Sequence, residues 1–136
     1  MSKFALEKME LIKGKQIFNK LLVDGKAPFD CFTEELEEQY KSELGSIYYR
    51  MEAVANLQLL PKDKFRELKG GKGDVKEYEF KSKHLRVYAI HQKDGKIVVM
   101  GGYKNSQDKD IVTFRALKKQ YICLLYTSPS PRDISG

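Results

Sequence analysis

GGKGDVKEYEFKSKHLRVYAIHQKDGKIVVMGGYK, residues 70–104, reads as three consecutive antiparallel strands. Asp94-Gly95 separates two apolar runs, HLRVYAIHQK and KIVVMGGY. Asp-Gly between such runs is a strong hairpin signal, because a two-residue type I′ turn needs positive φ at both central positions. With Asp94 and Gly95 as the loop, Lys93 faces Lys96, Tyr88 faces Gly101 and Arg86 faces Tyr103. A second turn at Ser82-Lys83 sets Lys81 opposite His84 and Glu79 opposite Arg86. Directly opposed residues share a face of the sheet, so the two registers sort the side chains. Tyr78, Phe80, Leu85, Val87, Ala89, Val98 and Met100 form a core face. Glu77, Glu79, Lys81, His84, Arg86, Tyr88 and Tyr103 form a polar one, with Ile90 and Val99 further along. Because side chains alternate along a strand, a one-residue slip would scramble both sets.

On the C-terminal side, Ser106 is placed to cap a last helix. Asp108 and Asp110 lie in its first turn, where the helix dipole favours negative charge, and Ile111, Phe114, Leu117 and Tyr121 make its apolar stripe. On the N-terminal side, Leu59 to Asp74 carries one Pro, three Gly and five Lys or Arg, which suits a solvated loop with at most a short helical turn. Before it, Pro28 and Asp30 lead into a helical hairpin. Asp30 or Thr33 would cap the first helix, Phe32, Leu36 and Tyr40 fall four apart, and Gly45-Ser46 ends one helix and starts the next. The second helix carries Ile47, Met51, Val54 and Ala55, so the pair can lie on the core face. Lys15 to Val23 reads as a strand closed by Asp24-Gly25, while Leu6, Met9 and Ile12 fit a helical stripe or a loose strand equally well. The fold class is α+β, an N-terminal strand and helical hairpin packed on a small antiparallel sheet, with a terminal helix.

The 136 residues suit one domain, and an apolar fraction of 41% is enough for a core. A formal charge of +6 favours polyanionic or acidic partners. No apolar run approaches the roughly 20 residues of a membrane span. The N-terminus has charges within its apolar positions and does not read as a signal peptide, so a cytoplasmic protein with no membrane contact is expected. The last residues, CLLYTSPSPRDISG, break with the rest. CLLYTSPSPRD resembles the translation of a sequencing-library adapter, so residues 1–122 are expected to be a single C-terminally truncated domain and 123–136 a non-native, structureless tail. Cys31 and Cys123 show no metal-type spacing.

Motifs for dinucleotide, phosphate-loop and zinc-protease chemistry are absent, and His84 and His91 point to opposite faces of one strand, so neither cofactor nor metal is expected. What remains is the row Glu79, Arg86 and Tyr103, bordered by Lys81 and His84. The plain explanation is an ion pair on a solvated face, worth about 0–1 kcal/mol. The functional one is cleavage of RNA by its own 2′-hydroxyl, which needs a base, a cation for the phosphate and an acid for the leaving oxygen. Arg86 can supply the cation as a bidentate guanidinium. Glu79 or His84 can act as base, and Tyr103, His84 or Lys104 as acid. Tyr88 and Tyr103 can stack on a base, and Lys69, Lys72, Lys81 and Lys83 add positive charge for RNA.

The order Leu68-Lys69-Gly70, Glu77, Leu85-Arg86-Val87-Tyr88 and Tyr103-Lys104-Asn105-Ser106-Gln107 resembles the toxins of the RelE/HigB superfamily, most closely the HigB-type branch of Bacteroides-like bacteria. The resemblance covers roughly Leu59 to Tyr121; before that, only the strand and helical-hairpin order agrees. It implies a RelE-like fold and an mRNA endonuclease, free or ribosome-associated. It also implies that an adjacent antitoxin, commonly a helix-turn-helix protein, holds the enzyme inactive. By the same resemblance Arg86 matches the phosphate-binding arginine and Lys104 the basic residue closing the last strand. Glu77 and Glu79 stand where some members have lysines, and Asn105 replaces the second basic residue, which leaves the general base open. Two other readings stand beside it: a ParE-like poison that acts by binding protein, and a degenerate or phage-derived scaffold with only a partner-binding role.

Overall fold

The computed structural model describes residues 2–71, 73 and 75–127, the last two by backbone alone. Its elements in order are β1 (Phe4–Lys8), β2 (Ile17–Val23), α1 (Pro28–Glu34), a 3-10 turn (Glu38–Tyr40) and α2 (Lys41–Ala55). There follow β3 (Phe65–Glu67), β4 (Glu77–Lys81), β5 (Leu85–Gln92), β6 (Gly95–Tyr103), a second 3-10 turn (Lys104–Ser106) and α3 (Gln107–Thr127). The fold is α+β, as expected. The meander β4–β5–β6 is the middle of a six-stranded sheet ordered β1-β2-β6-β5-β4-β3, in which β2 runs parallel to β6 and every other pair is antiparallel. The sheet is therefore mixed rather than purely antiparallel.

Both faces of this sheet are covered. α1 and α2 bury Phe29, Ile47, Met51, Val54 and Ala55 against Phe18, Phe80, Leu85, Val87, Ala89 and Val98. α3 buries Phe114 and Tyr121 against Leu21, Tyr88, Ile90, Ile97, Val99 and Met100. This is why β5 and β6 are continuous apolar runs, the mark of strands buried on two sides. The face expected to be polar and solvated is thus a second core under α3.

Both hairpins close differently from the sequence expectation. His91 faces Lys96 and Gln92 faces Gly95, so the loop is Lys93-Asp94, with Asp94 at a φ of 63°. Gly95 is already in β6, where a Cβ would overlap the Ile17 carbonyl. That glycine serves the close approach of β2, not the turn. In the other hairpin Lys81 faces Arg86 and Glu79 faces Tyr88. Both shifts are by two positions, which leaves each side chain on its assigned face. A β-bulge at Tyr88/Ala89 does change faces: Tyr88 now opposes Met100, Arg86 opposes Gly102, and Leu85 opposes Tyr103. Met100 therefore joins the α3 core, and Tyr103 moves to the α1–α2 side. Gly101 and Gly102 follow the bulge, one beneath the Phe32 ring and the other beneath the Asp110 carboxylate, as close packing rather than phosphate binding requires.

Other corrections are local. Gly45-Ser46 lies inside α2, and the break between helices falls at residues 35–40 instead. α1 starts from Ala27 with Pro28 in its first turn, a position that needs no N–H. Asp30 sits within α1 and accepts from Lys20 Nζ at 2.9 and 3.0 Å. β1 settles the N-terminal ambiguity as a strand, and the solvated loop contains the short edge strand β3. α3 continues through Cys123 to Thr127, which the sequence reading gave to a structureless tail; residues 128–136 lie outside the described residues. No helix among the described residues is long and apolar enough to cross a membrane.

Candidate active site

The row built from Glu79, Arg86 and Tyr103 does not exist as an open site. Glu79 is fully buried; its Oε1 accepts from Arg66 Nε at 3.0 Å and its Oε2 from the Gln107 side-chain amide. Arg86 Nε is 4.0 Å from Glu79 Oε2, and the Arg86 side chain is only 7% exposed. Its Nη1 donates to the carbonyls of Ser82 (2.6 Å) and Leu85 (2.8 Å), so the guanidinium ties down its own hairpin. Tyr88 is fully buried and stacks on Phe114, centroids 5.5 Å apart. Burial, with Glu79 and Asp110 nearby, pushes its phenol well above the usual range. The Tyr88 hydroxyl and Arg86 Nε have no hydrogen-bond partner among the described residues. None of the three expected roles has an open side chain here: α3 covers Tyr88 through Phe114 and Glu79 through Gln107, and the Arg86 guanidinium is turned onto Glu79 and its own hairpin.

The structure groups different residues at the β4–β5 turn. Ser82 N–H donates to Leu85 O at 3.0 Å and closes the hairpin, which projects Ser82 and His84 toward the first turn of α2. Glu43 lies in that turn, where the helix dipole favours a carboxylate. Its Oε2 is 2.6 Å from His84 Nδ1, and its Oε1 accepts from the His84 N–H (2.8 Å) and the Ser82 hydroxyl (2.5 Å). Burial works to raise the Glu43 carboxyl, but these bonds outweigh it and hold it below 4.5. An ionised carboxylate only accepts, so Nδ1 bears a proton, and in the neutral ring the lone pair lies on Nε2. The His84 side chain is 43% exposed. Ser82 gives its proton to Glu43 and accepts from Leu85 N–H, so it holds the carboxylate rather than acting as a nucleophile.

Aromatic and basic groups border this pair. The Tyr40 ring is 4.9 Å from the imidazole and 5.4 Å from Tyr103, whose hydroxyl accepts from Glu37 N–H at 3.3 Å. Lys104 N–H donates to His84 O at 2.8 Å, which places Lys104 beside the turn; Lys83 and Lys104 are exposed. Lys81 is half-buried, and its carbonyl accepts from Arg50 Nη1 at 2.5 Å. Of the sequence candidates, then, His84, Tyr103, Lys104 and Lys83 come together, while Lys81, directly opposite Arg86, shares the other face of the sheet with Glu79, Arg86 and Tyr88. Lys69 is exposed, but its carbonyl accepts from Arg115 Nη2, which sets it on the α3 side of the sheet, apart from the group around His84. Lys72 lies outside the described residues.

Sequence reasoning missed Glu43, Tyr40 and Ser82. Glu43 is 41 residues from His84 and sits among many acidic residues, so no spacing marks it as a partner. Among the described residues no three His, Cys, Asp or Glu side chains gather in a way that could hold a metal ion. Comparison of the chain with protein-family models, with curated proteins and with solved structures finds no match, so the resemblance to the RelE/HigB toxins rests on the motifs quoted above.

Proposed function

We propose that this protein is a ribonuclease of the toxin type that cuts single-stranded mRNA through the RNA's own 2′-hydroxyl, with His84 as general base. The observation that carries this reading is the 2.6 Å contact between Glu43 and His84 on an accessible turn flanked by Lys83 and Lys104. Glu43 fixes the tautomer, so Nε2 takes the 2′-proton as the oxygen attacks phosphorus. A 2′,3′-cyclic phosphate forms, the bond to the 5′-oxygen breaks, and the Lys104 ammonium supplies the proton that oxygen needs. Lys83 offsets the charge that grows on the phosphate. Tyr40 and Tyr103 offer rings to an unstacked base. Arg86 has no part in the chemistry. An antitoxin with a helix-turn-helix domain and a cytoplasmic setting, with the message free or on the ribosome, belong to the same reading.

The test is incubation of the purified chain with single-stranded RNA, with product ends analysed for cyclic phosphate. His84→Ala should lower the rate about 10²–10⁴-fold, and Glu43→Gln should lower it less. Cleavage that survives His84→Ala overturns the assignment. The burial of Arg86 against Glu79 favours a second reading, a ParE-like poison that acts by binding protein. Growth arrest on induced expression with every message intact would select it.

A further inference from the structure

Two lysines are buried among the described residues, Lys96 and Lys118, and they are held in opposite ways. Lys118 Nζ donates to Val75 O at 2.7 Å and to Glu77 Oε2 at 2.9 Å, so its ammonium has both an acceptor and a counter-charge. Lys96, 7% exposed, has neither among the described residues. It leaves β6 on the same face as Val98, and its methylenes span β5 beside Ala89, the small residue that pairs with Tyr78. Its Nζ ends 4.4 Å from the Tyr78 ring centroid and 6.0 Å from that of Phe65. A ring face attracts a cation, but three N–H donors here meet no oxygen.

No neighbouring carboxylate makes up for this. Glu67, opposite Tyr78, is turned to Lys76 at 3.9 Å. Burial, with Glu67 nearby, pushes the Tyr78 phenol up, so it stays uncharged, and His91 directly opposite Lys96 adds no negative charge. Burial therefore lowers the Lys96 amine from its ordinary value. Among the described residues only Arg86 Nε and the Tyr88 hydroxyl are fully enclosed without a hydrogen-bond partner. Lys96 Nζ also lacks one, so it still touches solvent. A desolvated amine without a counter-ion is neutral more of the time, with its lone pair available, and this is how lysines become nucleophiles.

We infer that Lys96 is a covalent modification site that takes an acyl group from a small acyl phosphate. The neutral Nζ attacks the acyl carbon, the bond from that carbon to the phosphate oxygen breaks, and inorganic phosphate leaves. The surplus proton on nitrogen passes to solvent, and an amide remains. Burial selects this chemistry, because the amide is uncharged whereas an iminium formed from an aldehyde would keep the buried charge. The narrow opening at Lys96 admits a small donor rather than a bulky one.

The test is brief incubation of the intact chain with acetyl phosphate at neutral pH, with acetylation followed lysine by lysine by peptide mass spectrometry. Lys96 should react about tenfold faster than the exposed Lys83, Lys93 and Lys109. Lys118, equally buried but paired with Glu77, should stay unreactive. The advantage of Lys96 should vanish in urea, and should shrink as pH approaches 10.5, where exposed lysines lose their protons as well. Lys96→Met keeps an apolar chain over the rings and should abolish the fast phase of acetyl uptake seen by intact mass. Lys96 reacting no faster than the exposed lysines, Lys118 reacting as fast as Lys96, or a preference that persists in urea would each overturn the inference.

Discussion

Tyr88 and Arg86 sit two positions apart on β5, on the same face, and each leaves a buried polar atom without a hydrogen-bond partner among the described residues. The consequences of changing them differ. Tyr88→Phe removes a buried hydroxyl that makes no hydrogen bond among the described residues while keeping the ring on Phe114. An unsatisfied buried group costs about 1–3 kcal/mol, so this variant should be at least as stable as the parent, with a gain of about 1 kcal/mol, read from the urea midpoint at unchanged slope. Arg86→Ala removes the bonds to the Ser82 and Leu85 carbonyls, each to a charged donor, and should cost about 2–3 kcal/mol. A destabilised Tyr88→Phe would show that the hydroxyl has a partner after all. Arg86 also explains why a strand pattern misleads about function. Alternation says which residues share a face, and says nothing of whether that face meets water or a third layer.

The hairpins illustrate what local patterns carry. The alternation within residues 77–100 sorted Phe80, Leu85, Val87, Ala89 and Val98 correctly, because a shift of two positions preserves the face. It failed beyond the bulge, where one extra residue in β6 carries Met100 and Tyr103 across; nothing in KIVVMGGY marks that residue. The glycines were harder still, since their roles depend on partners far along the chain. Gly95, expected in a turn, sits against the Ile17 carbonyl, and Gly45, expected to end a helix, lies exposed inside α2 with open space around its Cα. The two should respond in opposite ways. Gly95→Ala forces β2 away from β6 and should cost about 3 kcal/mol or more, since a methyl meets backbone that has nowhere to move. Gly45→Ala removes a helix-interior glycine and should stabilise by about 0.5–1 kcal/mol. Thermal melts of the pair check both; stabilisation by Gly95→Ala would refute the parallel β2–β6 register.

The α+β class was legible from element order, but the site depends on contacts that join distant parts of the chain, and these respond together to pH. Glu43 fastens α2 to the β4–β5 turn through Ser82, the His84 N–H and the imidazole. Burial acts to raise its carboxyl, but those bonds prevail and its folded pKa lies below 4.5. The unfolded chain therefore binds more protons at Glu43 than the native one in the interval between the two values, and stability rises with pH there. The contribution is complete above 4.5 and is lost as pH falls through the lowered folded value. Glu43→Gln lacks it at every pH. The urea-unfolding free energies of parent and variant should thus be separated near neutrality and converge below pH 4.5, as the parent's carboxylate becomes protonated. A gap that stays constant down to the most acid pH at which both chains fold would mean that Glu43 is not ionised against the turn. In that event the carboxylate could not set the His84 tautomer on which base catalysis depends.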